Sequence, residues 1–183
     1  MLDYLVERMQ AALCDELRVV TRPEKLDVAD RAREHGALVV EGYPSSVADS
    51  LLLGLDGLDR DDVVLFGFPD TIWEPVDGFQ HLVAELGEVA LGLFRCRDLT
   101  RSDVVTVDRA RVTGVHVKPA SPPSSLVWGC LAAKVSALEG LAGHAEPGAY
   151  LDALAREGRV HGVDFGTEFV DIGTPEALRA AAQ

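Results

Sequence analysis

The sequence predicts an α/β protein with a Rossmann-like, mainly parallel sheet, helices on both faces and a β-hairpin insertion. Three observations support this prediction. Apolar residues alternate between helical and strand spacing through the first half of the chain. The apolar strand-like runs follow amphipathic segments, which is the order expected of successive βαβ units. Later, two strand-like segments flank Asp108-Arg109-Ala110, a pattern typical of a hairpin.

The first half contains four predicted helices, each followed by a predicted strand. The helix at 2–13 has apolar residues at helical spacing, the helix at 22–35 ends before Gly36, and Ser45-Ser46 can cap the helix at 47–58. A fourth helix spans 76–86, and the strands are predicted at 16–20, 37–40, 62–68 and 88–94. The run at 62–68 is almost continuously apolar, which predicts a strand buried on both faces.

The second half begins with the hairpin strands 104–107 and 112–117. A Pro- and Ser-rich loop leads to an apolar strand at 126–131, and two helical stretches follow. A short strand near 158–160 precedes the C-terminal segment, in which Thr174 and Pro175 are typical of a helix start. No internal repeat or linker interrupts the pattern, so we expect one domain over residues 1–183.

Composition excludes several classes of protein. The chain has 183 residues, of which 48% are hydrophobic, and a net charge of −13. That charge should repel nucleic acid and anionic membranes, so neither is an expected partner. No apolar run approaches the roughly 20 residues of a membrane span, and no signal-peptide pattern opens the chain. Three dispersed cysteines exclude a disulfide framework, and a cytoplasmic location is expected.

Two aspartates follow predicted strands that are far apart in the sequence. Asp70 follows the run ending at Phe68, and Asp171 follows the apolar pair Phe169-Val170. Ligands of doubly wound sheets bind beyond the carboxyl ends of the strands, and Mg²⁺ is often held by two carboxylates plus substrate phosphates. The alternative is that each aspartate only caps the turn or helix that follows it.

Three other segments offer candidate contacts. Lys118 ends a hairpin strand, where it could bind a phosphate or simply be solvated. The segment 45–50 could present backbone N–H groups to a ligand or form an ordinary capped helix. Trp128-Gly129, a bulky and a small residue within a strand, could form the floor of a pocket or pack in the core.

Taken together, these segments resemble the sugar-phosphate nucleotidylyltransferases, which join a nucleoside triphosphate to a sugar 1-phosphate and release pyrophosphate. The resemblance spans nearly the whole chain and depends on the order of five short motifs. The motifs are Ser-Ser-Val-Ala-Asp-Ser at 45–50, Gly-Phe-Pro-Asp at 67–70, Val-Lys-Pro at 117–119, Trp-Gly at 128–129 and Phe-Val-Asp-Ile-Gly-Thr-Pro-Glu at 169–176.

The resemblance implies a role for each motif. It implies that Asp70 and Asp171 hold a catalytic Mg²⁺ and that Lys118 contacts the sugar phosphate. Trp128 and Gly129 would line the sugar pocket. The residues implied beside the nucleotide base are Ser46, Val47, Ala48 and Asp49. The implied substrates are a nucleoside triphosphate and a sugar 1-phosphate; the base and the sugar stay open.

The chain departs from the family pattern in two places. The family carries an acidic residue before the lysine of Val-Lys-Pro, where this chain has Val117, so one sugar hydroxyl contact is unassigned. The family's opening strand, its Gly-rich triphosphate loop with an arginine, and a Lys-Pro segment would all precede Met1. Without that strand, buried backbone groups would be unpaired at about 1–3 kcal/mol each, unless neighbouring strands close the gap or a second copy or partner chain fills it.

Two functions are therefore expected from the sequence. The first is a nucleotidyltransferase whose activity as a single chain is doubtful, because its triphosphate loop would have to come from an upstream start, a partner chain or a swapped subunit. The second is a non-catalytic subunit that binds a nucleotide or sugar phosphate. A glycosyltransferase is a third reading, but the segment after Phe68 lacks the Asp-x-Asp pair such enzymes commonly use.

Overall fold

The computed structural model describes residues 2–96, 98–174 and 179, and these form helices, one six-stranded sheet and two two-stranded sheets. Pro175 and Glu176 of the last motif, and hence the helix predicted to start there, lie outside the described residues. The helices are α1 (Leu2–Ala11), α2 (Leu26–Glu34), α3 (Val47–Leu55), α4 (Gly78–Ala84), α5 (Val135–Leu138) and α6 (Pro147–Arg156). The strands are β1 (Arg18–Thr21), β2 (Leu38–Glu41), β3 (Val63–Gly67), β4 (Thr71–Ile72), β5 (Val89–Arg95), β6 (Val104–Asp108), β7 (Arg111–His116), β8 (Leu126–Lys134), β9 (Val160–Glu168) and β10 (Val170–Asp171).

The larger sheet has six strands in the order β3-β8-β5-β9-β7-β6. Two of its inner strands, β8 and β5, are buried along almost their whole length, because helices cover both of their faces. Helices α3, α5 and α6 contribute to the apolar cluster on one face. Helices α1 and α4 contribute to the cluster on the other. The predicted α/β class, with helices on both faces and a hairpin at β6–β7, is confirmed.

Strand direction differs from the prediction of a mainly parallel sheet. Among the described strands, β1 pairs with β2 and β5 with β9 in parallel. The pairs β3–β8, β5–β8 and β6–β7 are antiparallel. The difference arises because β8 enters between β3 and β5 in the opposite direction. An apolar run predicts that a strand is buried, but it carries no information about the strand's direction.

Strand β3 is less buried than its apolar sequence predicts. Val63 is 47% exposed, and the next three residues are only partly buried. The reason is that β3 has β8 on one side, while its other edge borders a cavity instead of a strand. The pattern of a strand buried on both faces belongs instead to β5 and β8.

Strands β1 and β2 form a separate two-stranded sheet. Helix α3 packs on β1, and helix α2 contacts both of these strands. No helix among the described residues has both the length and the apolar character needed to cross a membrane.

Candidate active site

The fold brings Asp70 and Asp171 to the same place. Asp70 lies in the turn after β3, and the chain then enters the short strand β4. Strand β10 pairs with β4 in an antiparallel arrangement, with Asp171 opposite Thr71. A further bond, from the backbone N–H of Ile172 to the carbonyl oxygen of Asp70 at 2.8 Å, fixes this register. The two aspartates therefore approach one another through backbone pairing.

Gly173 shows how close the two carboxylates are. A Cβ built on Gly173 would lie 2.9 Å from Oδ2 of Asp70 and 3.0 Å from Oδ1 of Asp171. The backbone N–H of Gly173 also donates to Asp171 Oδ1 at 2.8 Å. Both carboxylates thus border a single small space, which a larger residue at position 173 would fill.

The surroundings of Asp70 oppose its negative charge. Burial raises the pKa of this carboxyl, and the neighbouring charge of Asp171 raises that pKa further. A bound cation would offset both effects, because an opposite charge favours the ionised form. Among the described residues, no group of three or more His, Cys, Asp or Glu side chains is placed to hold a metal. Two carboxylates still fit Mg²⁺, which usually keeps several waters and binds substrate phosphates.

Lys118 belongs to a second polar cluster. Its Nζ is 2.7 Å from Oε1 of Glu146, and this hydrogen bond raises the pKa of the lysine. The carboxylate of Asp103 adds to the same electrostatic effect. Asp103 also accepts a hydrogen bond from the indole Nε1 of Trp128 at 3.3 Å. One lysine therefore lies near two carboxylates.

Asp103 is a candidate residue that the sequence reasoning missed. It is partly buried, and burial, more than the nearby charge of Glu146, raises the pKa of its carboxyl. Its side chain and that of Val117 both border Gly148. The pairing of Val104 with His116 places residue 103 beside Val117, but a register shift between Thr106 and Val107 sets this pairing, so counting along the predicted hairpin does not reveal it.

Aromatic contacts connect the second cluster to the carboxylate pair. The ring of Trp128 lies 5.4 Å from the ring of Phe68, two residues before Asp70. Gly129, the residue after Trp128, is covered by the ring of Phe169, which lies two residues before Asp171. Because consecutive residues of a strand face opposite sides of the sheet, Phe68 packs with Trp128 on one face of β8 and Phe169 covers Gly129 on the other. No direct contact between Lys118 and either aspartate of the pair is observed.

The residues expected beside a nucleotide base form a helix cap. Ser46 is the N-cap of α3, and its Oγ accepts a hydrogen bond from the N–H of Asp49 at 3.0 Å. The Asp49 carboxylate in turn accepts hydrogen bonds from the backbone and hydroxyl of Ser45, and these side-chain bonds lower its pKa. Val47 is partly exposed and borders the cavity beside β3. The local contacts of these side chains are those of a capped helix.

Two of the sequence-predicted contacts need correction. Ala48 has no exposed surface, because it packs in the core beneath α3, so it cannot touch a ligand in this structure. Gly129 is also buried, since the ring of Phe169 lies directly over it, with Cδ2 at 2.6 Å from a Cβ built there. Its role here is to let that ring pack closely, not to line an open pocket.

Comparison with known proteins gives matches in structure alone. No family model and no curated protein matches the sequence. A solved structure described as a glucose-1-phosphate thymidylyltransferase from Bacillus anthracis, in complex with a sucrose, matches with a TM-score of 0.83 and 17% identity. The match covers 98% of this chain and 80% of that one.

Two structures of UDP-glucose pyrophosphorylase match similarly. The apo form has a TM-score of 0.79 and 13% identity, and the match covers 98% of this chain and 84% of that one. The form complexed with UDP-glucose has a TM-score of 0.81 and 15% identity, over 98% of this chain and 83% of that one. The chain therefore has the fold of these sugar-phosphate nucleotidyltransferases, as its motifs predict.

Proposed function

We propose that this chain is a nucleotidyltransferase-type protein that binds a nucleoside triphosphate and a sugar 1-phosphate. The observation that carries the proposal is the convergence of Asp70 and Asp171 on one small space. Two remote carboxylates held by backbone pairing in a fold of this type suit a divalent cation shared with substrate phosphates. The net charge of −13 makes such a cation, or local basic groups, necessary for an anionic substrate.

In the proposed reaction, a phosphate oxygen of the sugar 1-phosphate attacks the α-phosphorus of the nucleotide. A new phosphorus–oxygen bond forms as the bond from the α-phosphorus to the leaving pyrophosphate breaks. Asp70 and Asp171 would hold Mg²⁺, which when bound supplies neutralisation of the phosphate charge. Lys118 would contact the sugar phosphate, and Trp128 would form one wall of the sugar pocket.

We further propose that Asp103 makes the sugar hydroxyl contact that Val117 cannot make. Its carboxylate lies beside Val117 and is oriented by the Trp128 indole. An ionised carboxylate is a strong acceptor for a hydroxyl group. This assignment uses only residues that the hairpin and β8 already bring together.

A non-catalytic binding subunit is the second candidate function. The ion pair between Lys118 and Glu146 favours it, because the lysine proposed for phosphate binding already has a carboxylate partner. The two candidates agree on ligand binding and differ on turnover, so an assay of turnover separates them.

A calorimetric titration combined with a pyrophosphate-release assay tests the proposal. The protein is titrated with each nucleoside triphosphate, and separately with glucose 1-phosphate, with and without Mg²⁺. We expect Mg²⁺-dependent binding of a triphosphate, and weak pyrophosphate release by this chain alone. Absence of binding heat with every ligand would contradict the proposal, and binding without any turnover would favour the second candidate.

A further inference from the structure

Arg8 is buried, although a charged side chain is costly to bury. Among the residues that the structure describes, it is the only charged residue that is buried, with 1% of its surface exposed. Helix α1 buries it together with Leu5 and Val6. A guanidinium removed from water destabilises the fold unless hydrogen bonds and an opposite charge replace its hydration. The contacts of Arg8 therefore indicate what this side chain holds in place.

The guanidinium of Arg8 binds the two residues that follow β4. Its Nε donates to the carbonyl oxygen of Trp73 at 3.0 Å, and its Nη2 donates to Oε1 of Glu74 at 2.9 Å. Its Nη1 donates to the carbonyl oxygen of Tyr4 at 3.1 Å, and Nη2 also donates to the Tyr4 hydroxyl. The Tyr4 ring centroid lies 3.4 Å from Cζ of Arg8, and the Tyr4 hydroxyl donates to the same Trp73 carbonyl at 2.6 Å. All three nitrogens of the planar group are therefore used.

Glu74 connects Arg8 to the segment that precedes Asp171. The backbone carbonyl of Glu74 accepts a hydrogen bond from Oγ1 of Thr167 at 2.6 Å. In the sequence, Glu74 comes four residues after Asp70, and Thr167 comes four residues before Asp171. The contacts of Arg8, Glu74 and Thr167 thus join the two aspartate-bearing segments at a second point, apart from the pairing of β4 with β10.

A bulge in β9 brings Thr167 to this position. Three residues lie between Asp164 and Glu168 on β9, opposite a single residue between their partners on β5. The Asp164 carboxylate accepts two hydrogen bonds from Arg95, at 3.0 and 2.9 Å, and one from the backbone N–H of Gly166 at 2.9 Å. Bulges redirect side chains and are common beside functional sites. The ordered bulge therefore fixes the position from which Thr167 binds Glu74.

The pairing of β4 with β10 is too short to hold two like charges together without help. Each strand has only two residues, and small isolated strand pairs are marginally stable. The negative charges of Asp70 and Asp171 also repel each other. Burial of Trp73 and Ile172 holds both segments to the core, but apolar burial has no direction. Directional hydrogen bonds are needed to fix how the two segments approach one another.

We propose that Arg8 is a positioning residue of the carboxylate pair. Its guanidinium fixes the two residues after β4 against Thr167, and this contact sets the separation at which Asp70 and Asp171 can share one cation. The role toward a cation rests on the proposed function, whereas the effect on the β4–β10 pairing does not. A lysine at position 8 would keep the charge but lacks the planar fork that binds a carbonyl and a carboxylate together.

Hydrogen exchange by NMR on the whole protein tests this proposal. The amide of Ile172, which donates to the carbonyl oxygen of Asp70 at 2.8 Å, reports whether β4 and β10 stay paired. The test variants are Arg8→Lys, which removes the fork, and Thr167→Val, which removes the hydroxyl with little change in shape. The second variant breaks the same chain of contacts if the first does not fold. Amides of β5, an inner strand of the six-stranded sheet, report the stability of the core.

The matched controls make the same two substitutions elsewhere in the chain. Arg18→Lys is the first, because Arg18 also donates to two backbone carbonyls, those of Gly54 and Asp56. Thr113→Val is the second, because Thr113 is a strand threonine whose hydroxyl donates to Thr106. A second readout is the affinity for Mn²⁺, which takes the same oxygen ligands as Mg²⁺ and is measured from the EPR signal of the free ion.

In both test variants we expect exchange at the Ile172 amide to accelerate at least tenfold more than exchange at the β5 amides, with no such difference in the controls. The Mn²⁺ affinity should fall at least tenfold in the same two variants. Equal acceleration at Ile172 and in β5 would reduce Arg8 to a residue of general stability and overturn the proposal, as would parent-like Mn²⁺ affinity in the test variants. A parent that binds no Mn²⁺ would overturn the role toward a cation together with the proposed function, and selective acceleration at Ile172 would then still show that Arg8 positions the pair.

Discussion

Asp70 and Asp103 share a property that distinguishes them from most surface carboxylates of this chain. Burial raises the pKa of each, so the fold opposes the charge that ligand binding would use. Perturbed titratable groups of this kind are concentrated at functional sites, although structural networks also produce them. The cost of keeping these charges is therefore expected to appear in the pH dependence of stability.

The variant Asp103→Asn tests this cost. In the parent, the folded-state pKa of Asp103 lies above the ordinary value of 3.8. The stabilisation that the protonated Asp103 gives the folded state is therefore full below pH 3.8, and it is lost as pH rises through the folded-state pKa. Asparagine imitates the neutral form and can still accept the bond from Trp128. The Tm of the variant should therefore exceed that of the parent at pH 7 and equal it below pH 3.8.

Calorimetry across pH measures this difference, and Asp61→Asn is the matched control because Asp61 is exposed. The control should show no pH-dependent change in Tm relative to the parent. A Tm for Asp103→Asn that falls below the parent at pH 7 would show that the charged form stabilises the fold, contrary to the account.

For single residues, the sequence predicts that Asp70 and Asp171 lie together, but it does not predict the second polar cluster around Lys118 and Asp103. Asp70 and Asp171 each follow a strand, and the ends of strands in such folds lie together, so their proximity is predictable. Asp103 precedes a hairpin strand, where an aspartate is unremarkable. Its neighbours become visible only when the hairpin register and the path of β8 are known.

At the scale of single elements, β8 connects the sheet to the site. Gly129 of this strand lies under Phe169, and the backbone then continues through β10 to Asp171. The strand is buried along eight of its nine residues, so its neighbours have little freedom to move. Adding one methyl group at Gly129 should therefore displace Phe169 and, through the backbone of β10, change the position of Asp171.

The variant Gly129→Ala makes that change. The new Cβ would lie 2.6 Å from Cδ2 of Phe169, so the ring must shift, and we expect a loss of about 1–3 kcal/mol in the free energy of unfolding. Urea unfolding measures the loss. Gly87→Ala is the control, because its nearest neighbour would be His161 Cε1 at 4.0 Å. Equal stability of the two variants would contradict the tight packing.

The elements themselves were predictable in position more than in direction or length. The first three strands match their apolar runs to within a few residues. Strand β9 extends over Val160–Glu168, well beyond the short strand predicted near 158–160. The polar and glycine residues of β9 give only a weak strand pattern in the sequence. The strand forms over this length because it pairs in parallel with β5.

At the scale of the whole molecule, the β1–β2 sheet and the six-stranded sheet do not pair with each other among the described residues. A cavity lies between the β1 edge of one sheet and the β3 edge of the other. The exposed apolar residues of β3 result from this gap. A per-residue pattern cannot predict such a gap, because burial depends on which strand lies alongside.

The net charge of −13 also acts at this scale. The overall field opposes the approach of phosphorylated ligands, so binding must come from a few local groups. The proposed function assigns this task to a cation held by Asp70 and Asp171 and to Lys118 as the basic side chain for the sugar phosphate. The shared cation is therefore the central claim of the account.

NMR with Mn²⁺ tests that claim most directly, because this ion takes the same oxygen ligands as Mg²⁺ and broadens nearby amide signals. The parent, Asp70→Asn, Asp171→Asn and the control Asp61→Asn are compared at equal Mn²⁺. We expect broadening centred on residues 70–72 and 171–173 in the parent and the control, and its loss in both site variants. Broadening that persists in either site variant, or is centred elsewhere, would contradict a cation shared by these two carboxylates.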